Sequence, residues 1–555
     1  MRRAALRSAD WSAMAASSVT GLRRHWLAAI LLAAGLVFRI LTLIAYRPAL
    51  LYVDTLKYLY NAYPGADPVG YKVPLRLILA IGNLDAVAAI QHLLGLAIAV
   101  TLYAILLSRG TPRWLAAIAI VPVLLDAYQL QIEQTIMPDV WFEALIVAGI
   151  AVLLTVRASR ATASPATASP ATADSTRHAL GARARGPIGA GLVAVIATGL
   201  ILGVSATFRQ VGEILILPAL AFVVVLGGGW RKLLTSSVVL TAAFAIPIVA
   251  YSAGSYLING HFWLASSTPS ISSYGRMADA ADCATLRLPA YQQALCPTPR
   301  QQAFGQDWLD HDAASPLKTF AAPAGMNRYA IIASFNRQVL SQQPERVLAA
   351  ITRDTIKLFA LTRTSSQGGT PISRWQFQDS YPTYPNWITV RNATIIVGLP
   401  QTDGSVRYQP LTPGYGGAAR VSQPVAAVLR RYQLDGGYTP GPLMLLFALA
   451  GLAGSLLVLD RRGARRGRET ETGRGTAVRH ELTSACLLFF GCGATVLAMS
   501  DVFQFSWRYQ LPALVTLPPA GALGIAALVT YLTRRSGRPA AEQRTELPEL
   551  TVPAV

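Results

Sequence analysis

Several short stretches place acids and bases beside aromatic residues at the ends of long apolar runs. Asp54 and Lys57 lie in Tyr52-Val-Asp54-Thr-Leu-Lys57-Tyr58, just past the first run. Lys72 and Arg76 follow in Gly70-Tyr-Lys-Val-Pro-Leu-Arg76. Glu133 and Asp139 belong to Glu133-Gln-Thr-Ile-Met-Pro-Asp139-Val-Trp-Phe-Glu143, Arg209 and Glu213 share one turn, and Arg508 opens Arg508-Tyr-Gln-Leu-Pro512. A charge held at the mouth of a membrane helix is costly and is a site candidate by default. Carboxylates there can act as general base toward a hydroxyl or hold a metal ion. Lys and Arg neutralise phosphate, Arg through a bidentate fork. Any one of these charges is also accounted for as an interfacial anchor, because helix-end charges snorkel to water. Their recurrence in every outer loop is what a site assembled from several helix ends requires. Such a set suits transfer of a group from a lipid phosphate, its tail in the bilayer, to an acceptor outside.

The elements that must carry these residues are membrane helices. The chain has 555 residues, is 53% hydrophobic and only 14% charged, the balance of a multi-span membrane protein. Apolar runs over 25–46, 85–107, 114–130, 138–156, 188–208, 212–229, 233–257, 440–459, 482–500 and 508–532 predict an α-helical polytopic membrane protein with about ten transmembrane helices. The net charge of +20 does not indicate nucleic acid, since no groove-reading motif accompanies it. Instead, 25 basic residues fall in segments on one side, against about six in the opposite short loops. The positive-inside rule then puts both termini in the cytoplasm and the candidate site on the outer face of the cell membrane.

The predicted organisation follows. A basic cytoplasmic N-terminus, 1–24, leads into an uncleaved signal anchor. The N-terminal transmembrane region, 25–257, contains the first outer loop, 47–84, and a cytoplasmic linker, 157–187, in which Ala161 to Ala173 repeats Ala-Thr-Ala-Ser-Pro. A polar insert, 258–438, reads as a small mixed α/β extracytoplasmic domain with one strongly helical stretch, Met326 to Leu361. The C-terminal transmembrane region, 439–532, contains an Arg/Gly-rich linker run (461–474), and 533–555 is a cytoplasmic tail. Cys283 and Cys296, an even pair with a short intervening loop in an oxidising compartment, predict a disulfide. Cys486 and Cys492 read as buried apolar side chains of the ninth run. Trp375, Tyr381, Tyr384 and Trp387 suit a domain core, with sugar stacking as the other reading. Gln91 and His92 lie about two turns below the outer surface in the second run and read as packing partners, with lining of a lipid cavity as the other reading, and Arg39 pairs with a neighbouring helix or reaches the interface.

Four stretches together are similar to the C-class membrane glycosyltransferases, which use polyprenyl-phosphate sugars and include the protein O-mannosyltransferases and the lipid A aminoarabinose transferase. They are the Asp54 loop, Tyr71-Lys-Val-Pro74, the Glu133 to Asp139 acidic pair before a Trp-Phe helix, and Arg508-Tyr-Gln-Leu-Pro; Arg209-Gln-Val-Gly212 resembles the family's arginine at an outer turn. The resemblance implies Asp54 as catalytic base or electrostatic anchor, with Glu133 or Asp139 as a second catalytic acid. It implies Lys72, where the family's Lys-Pro-Pro is here Lys-Val-Pro, together with Arg209 and Arg508 as binders of the donor phosphate. Tyr58, Tyr71 and Tyr509, beside those charges, are candidate acceptor or sugar contacts. Asp54 with Glu133 or Asp139 is also a candidate pair for a divalent metal ion, which some members of the family use; no cofactor is certain. The partners implied are the polyprenyl-phosphate sugar donor, membrane lipids and an extracytoplasmic protein, cell-wall glycan or glycolipid, with no nucleic acid. Two other classes fit the same composition: a transporter or flippase for a lipid-linked or envelope substrate, and a non-enzymatic envelope assembly protein.

Overall fold

A computed structural model of the chain describes residues 23–62, 68–161, 187–227, 229–260, 262, 264, 269–365, 370–401, 405–459, 474–503 and 505–535. Most of the basic N-terminus and of both linkers, and the tail beyond 535, lie outside these residues. In chain order the membrane part is α1 (Trp26–Ala45), β1 (Tyr46–Arg47), α2 (Thr55–Tyr60), α3 (Lys72–Leu79), α4 (Leu84–Ser108), α5 (Arg113–Ala119), α6 (Val121–Leu125), α7 (Ala127–Gln134), α8 (Asp139–Ala161), α9 (Pro187–Phe208), α10 (Ile216–Leu226) and α11 (Trp230–Asn259). The insert holds α12 (Pro269–Ala280), α13 (Arg328–Gln342), α14 (Pro344–Lys357), β2 (Ile388–Arg391), β3 (Thr394–Pro400), β4 (Val406–Pro410), β5 (Arg420–Val421) and α15 (Gln423–Leu434). The chain then returns to the bundle as α16 (Gly441–Leu456), α17 (Arg474–Phe503) and α18 (Pro512–Arg535).

Among the described residues seven helices are long and apolar enough to cross a membrane, within α1, α4, α8, α9, α11, α17 and the stretch Trp507–Thr533. The expected count of about ten is not reached by length. The run over 212–229 yields the 11-residue α10, and that over 440–459 the 16-residue α16. The run over 114–130 is not one helix but three short ones, and its sequence explains why. Pro122 has no N–H to continue the helical ladder. Asp126 is extended, and its carboxylate accepts the Tyr128 N–H at 3.0 Å, restarting the helix as α7. That acid is buried and also accepts both terminal nitrogens of Arg363 (3.2 and 2.8 Å) and the Thr439 N–H (2.8 Å). Arg363 lies against the rings of Tyr128, Tyr438 and Trp507, 4.5 to 5.3 Å from their centroids. A buried charge is tolerated because it is paired and fully hydrogen-bonded, and the pair ties the insert to the bundle.

The insert divides into two parts with different cores. Its helical part packs Tyr274, Leu295, Leu309, Phe335 and Val339 into a core of its own. The second part, carrying the antiparallel sheet β2-β3-β4, shares a core with the first outer loop: Ile388, Ile395 and Val397 pack with Leu56, Tyr58, Leu59 and Tyr71. The β2–β3 hairpin turns on Asn392 and Ala393, both at positive φ, the conformation a two-residue hairpin needs. A further tie is made by β1, which pairs antiparallel with β5 and fastens the end of α1 to the insert.

The predicted disulfide is present, joining Cys283 to Cys296 across 13 positions of the helical part. Closing a loop of that size contributes about 3 kcal/mol through the unfolded state. Cys283→Ser or reduction is expected to raise trypsin cleavage within 283–357 while leaving the membrane bundle resistant, as limited proteolysis in detergent would show. Cys486 and Cys492 are buried and free, as the sequence predicts. In the bundle, Gly524 of α18 faces the Ala450 carbonyl of α16 so closely that a Cβ has no room, the close approach small residues permit between membrane helices.

Candidate functional site

The C-terminal ends of α1 and α9 meet the N-terminal ends of α8 and α18 at one end of the bundle, and there Arg508 is held between two acids. Its Nη1 donates to Asp54 Oδ2 at 2.7 Å, and its Nε donates to both oxygens of Asp139, at 3.1 and 3.2 Å. Asp139 also accepts from Arg209, and Lys57 Nζ lies 3.0 Å from Asp54 Oδ1. Arg508 and Asp139 are 6% and 4% exposed, whereas Asp54 keeps 23% of its side chain open. Four of the predicted residues therefore come together: Asp54, Asp139, Arg209 and Arg508.

Local structure explains each position. Asp139 sits in the first turn of α8, where the helix dipole favours a carboxylate. Arg209 ends α9 in a turn closed by the Gly212 N–H donating to the Arg209 carbonyl at 2.8 Å; a Cβ at Gly212 would strike the backbone of Ala206. Arg508 is in a 3-10 turn, Trp507–Gln510, ahead of Pro512. The Asp54 loop is sewn to the segment before Asp139. Leu50 N–H donates to the Gln134 carbonyl and the Leu50 carbonyl accepts from Ile136, both at 3.0 Å, while Thr55 Oγ1 donates to the Ile136 carbonyl at 3.0 Å. The two acids are thus carried on one hydrogen-bonded unit.

Aromatic residues frame the cluster. The Tyr509 ring lies 4.8 Å from the Arg209 guanidinium and 5.5 Å from that of Arg508, and Trp375 is 5.6 Å from Arg508. Tyr52 packs on both Trp375 and Tyr384, and its hydroxyl accepts from Arg374 at 3.3 Å. Sequence reasoning gave Trp375 and Tyr384 mainly to a domain core and did not single out Arg374. The proximity arises only because the insert folds back onto the first loop.

Asp54 remains ionised in this setting. Burial pushes its carboxyl up, but Lys57 and Arg508 outweigh burial and hold it well below the usual carboxylate range. A depressed folded-state value contributes stability that is complete above the unfolded value, about 3.9, and is lost as pH falls toward the folded one. The melting-temperature difference between wild type and Asp54→Asn is therefore expected to stay constant from pH 8 to pH 5 and to shrink only below about pH 4. Thermal scans across that range check it.

Other predicted residues lie apart. Glu133 is not a partner of Asp54. It is fully buried, accepts from Arg39 Nη2 at 2.8 Å, is 2.9 Å from His92 Nδ1, and accepts from Gln129 at 3.3 Å. Gly95 of α4 leaves the space in which Arg39 and Glu133 meet. The reason is geometric: Glu133 ends α7 facing α1 and α4, while the turn through Pro138 carries Asp139 to the other charges. Tyr58 and Tyr71 are also corrected from candidate sugar contacts to core residues. They are 4% and 0% exposed, stack edge to face, and the Tyr71 hydroxyl donates to Gln91 Oε1 at 2.7 Å. Gln91 in turn donates to the carbonyls of Glu133 and Thr135, so it caps the broken end of α7. Lys72 donates to Asn61 and makes no contact with Arg508; burial and the neighbouring Arg76 lower its pKa. As for a metal, the Arg508 guanidinium occupies the space between Asp54 and Asp139. Among the described residues no three His, Cys, Asp or Glu side chains converge as ligands. The acids as arranged do not fit a divalent ion.

No protein-family model matches the chain, and no curated protein matches it. Among solved structures it is similar to the oligosaccharyltransferase AglB of Archaeoglobus fulgidus in complex with an inhibitory peptide and a dolichol-phosphate, at 12% identity and a TM-score of 0.39 over 95% of this chain and 53% of that one. The apo form of the A. fulgidus oligosaccharyltransferase gives 14% identity and a TM-score of 0.41 over 92% and 52%. The protein O-mannosyltransferase Pmt1-Pmt2 complex of S. cerevisiae, bound to its sugar donor, gives 15% and 0.28 over 46% and 36%. The chain thus spans about half the length of the archaeal structures. Likeness at these TM-scores carries no functional argument; the charged cluster has to be read from its own geometry.

Proposed function

We propose that the chain is a membrane glycosyltransferase that moves a sugar from a polyprenyl-phosphate donor to an acceptor hydroxyl on the outer face of the cell membrane. The observation that carries this reading is Arg508, fixed between Asp54 and Asp139 while its Nη2 makes no hydrogen bond to any described residue. A phosphate whose lipid tail lies in the bilayer reaches this end of the bundle without leaving the membrane. Arg508 and Arg209 offer it their remaining N–H groups, and Tyr509 orients both guanidiniums; Lys72 on α3, bonded to Asn61, stands apart from them.

Asp54, ionised and partly open, takes the proton of the acceptor hydroxyl. The acceptor oxygen forms its bond to the anomeric carbon, and the bond from that carbon to the phosphate oxygen breaks. The bonding pair leaves with polyprenyl phosphate, and the configuration inverts. Because Asp54 is a weak base, it receives the proton late, once the forming bond has made the hydroxyl acidic. Positive groups aimed at the leaving phosphate in a water-poor site stabilise the transition state by several kcal/mol. Asp139 holds the two arginines in place. The acceptor is a protein, a cell-wall glycan or a glycolipid. A transport path draws no support from Arg39, Glu133 and His92, which are 0–3% exposed and paired with one another.

The test uses purified full-length protein with a panel of radiolabelled polyprenyl-phosphate sugars and a membrane extract as acceptor source. Release of polyprenyl phosphate by wild type and not by Arg508→Lys, which keeps the charge and loses the fork, is the expected result. Absence of release from every donor overturns the reading.

A further inference from the structure

The far end of the bundle carries a second concave site. Arg109 Nη2 donates to the Leu154 carbonyl at 2.9 Å, late in α8, so the turn after α4 lies opposite the Asp139 end. The 20-residue α1 rises about 30 Å at 1.5 Å per residue, which separates Trp26 from the Asp54 loop by about one hydrocarbon thickness. Between the start of α1 and the turn from α4 to α5 is a cavity of about 730 Å³, lined among others by Arg24, His25, Trp26, Tyr103, Arg113 and Trp114. His25 Nδ1 and the Tyr103 hydroxyl are hydrogen-bonded at 2.8 Å, which fixes one wall. Arg24 and Arg113 are exposed, and neither pairs with a carboxylate among the described residues. Trp26 and Trp114 are 60% and 57% exposed beside them. From the cavity, Trp26, Ile30, Val37, Ile40 and Ile44 form one exposed apolar stripe along α1, at spacings that keep them on a single helix face.

We propose that this cavity binds the headgroup phosphate of an anionic glycerophospholipid. Arg24 and Arg113 take the phosphate, the two tryptophans flank the glycerol region as interfacial aromatics do, and an acyl chain lies along the α1 stripe. Two unpaired cations in a concave, aromatic-walled site select an anionic headgroup over a zwitterionic one, and the adjoining stripe selects a lipid over free phosphate. The site is independent of sugar transfer, so its test stands whatever chemistry the other end performs.

The experiment reconstitutes the full chain in nanodiscs of mixed phosphatidylglycerol and phosphatidylcholine and reads retained lipid by native mass spectrometry after detergent extraction. Wild type is expected to retain phosphatidylglycerol about thirtyfold over its bulk ratio, since each of the two basic residues near an anionic surface contributes on the order of 1 kcal/mol, about fivefold. Arg24→Gln/Arg113→Gln is expected to fall to the bulk ratio. Arg231→Gln/Lys232→Gln, which removes two basic residues outside the cavity lining, keeps the enrichment. The single variants Arg24→Gln and Arg113→Gln, each expected to lose about fivefold, serve if the double variant does not fold. Unchanged enrichment in the cavity variants overturns the proposal, as does equal loss in the Arg231/Lys232 control, which would mark diffuse surface charge. Displacement of the lipid by millimolar glycerol phosphate or inorganic phosphate would assign the cavity to a soluble anion and overturn the lipid.

Discussion

Asp54→Asn is expected to lower sugar transfer by about a thousandfold, the middle of the range for loss of a positioned general base, while the protein still folds. The substitution is nearly isosteric, Asp54 is 23% exposed, and Arg508 keeps its two bonds to the more deeply buried Asp139. The bundle therefore loses one partly solvated partner and leaves no buried cation alone. Single-turnover transfer with labelled donor, set beside a melting curve in the same detergent, separates the effects. A large rate loss with a melting temperature within a few degrees of wild type supports Asp54 as the base. An unchanged rate reduces Asp54 to an interfacial anchor for α2. Asp139→Asn makes the useful contrast: it removes the common partner of Arg209 and Arg508, so it should weaken donor binding as well as the rate.

Glu133→Gln should behave in the opposite way, unfolding the protein before it can report on catalysis. Arg39 and Glu133 are 1% and 0% exposed and make a 2.8 Å ion pair. Removing one partner of a buried pair leaves an uncompensated charge and costs about 3–5 kcal/mol. Arg39 Nε and Nη1 would retain their bonds to the carbonyls of His92, Gly35 and Leu124, but these oxygens carry no net charge. Arg39→Met in the Glu133→Gln background should restore most of the lost stability, because replacing both members of such a pair is often close to neutral. Yield of monodisperse protein and the unfolding midpoint of the two single variants and the double variant form the cycle that measures it. Recovery in the double variant identifies Glu133 as a structural acid. A folded Glu133→Gln with lost transfer would instead return it to the chemistry.

Much of this protein can be read from one dimension, because the bilayer imposes a one-dimensional constraint. A window of about 20 apolar residues is needed to cross it, and seven predicted runs are helices of that kind. Charges at the ends of such runs are conspicuous against 14% charged composition, which is how Asp54, Asp139, Arg209 and Arg508 stand out together. The Cys283 and Cys296 pair is legible for a similar reason, being close in sequence.

Which of these charges meet was decided only by tertiary structure. Glu133 and Asp139 look interchangeable along the chain, yet the turn between α7 and α8 sends one to Arg39 and His92 and the other to Arg209 and Arg508. The burial of Asp126, where the third run breaks, depends on a partner 237 positions away, Arg363, which no local pattern announces. Arg508 likewise reaches Asp54 across 454 positions and Asp139 across 369. Hydropathy and helix propensity are local and sum along the chain, so seven of the ten apolar runs and the ends at which charge collects are legible in the sequence. Pairing among buried charges depends on distance and desolvation in three dimensions, and only the packing of the insert and four helix ends against one another settles it.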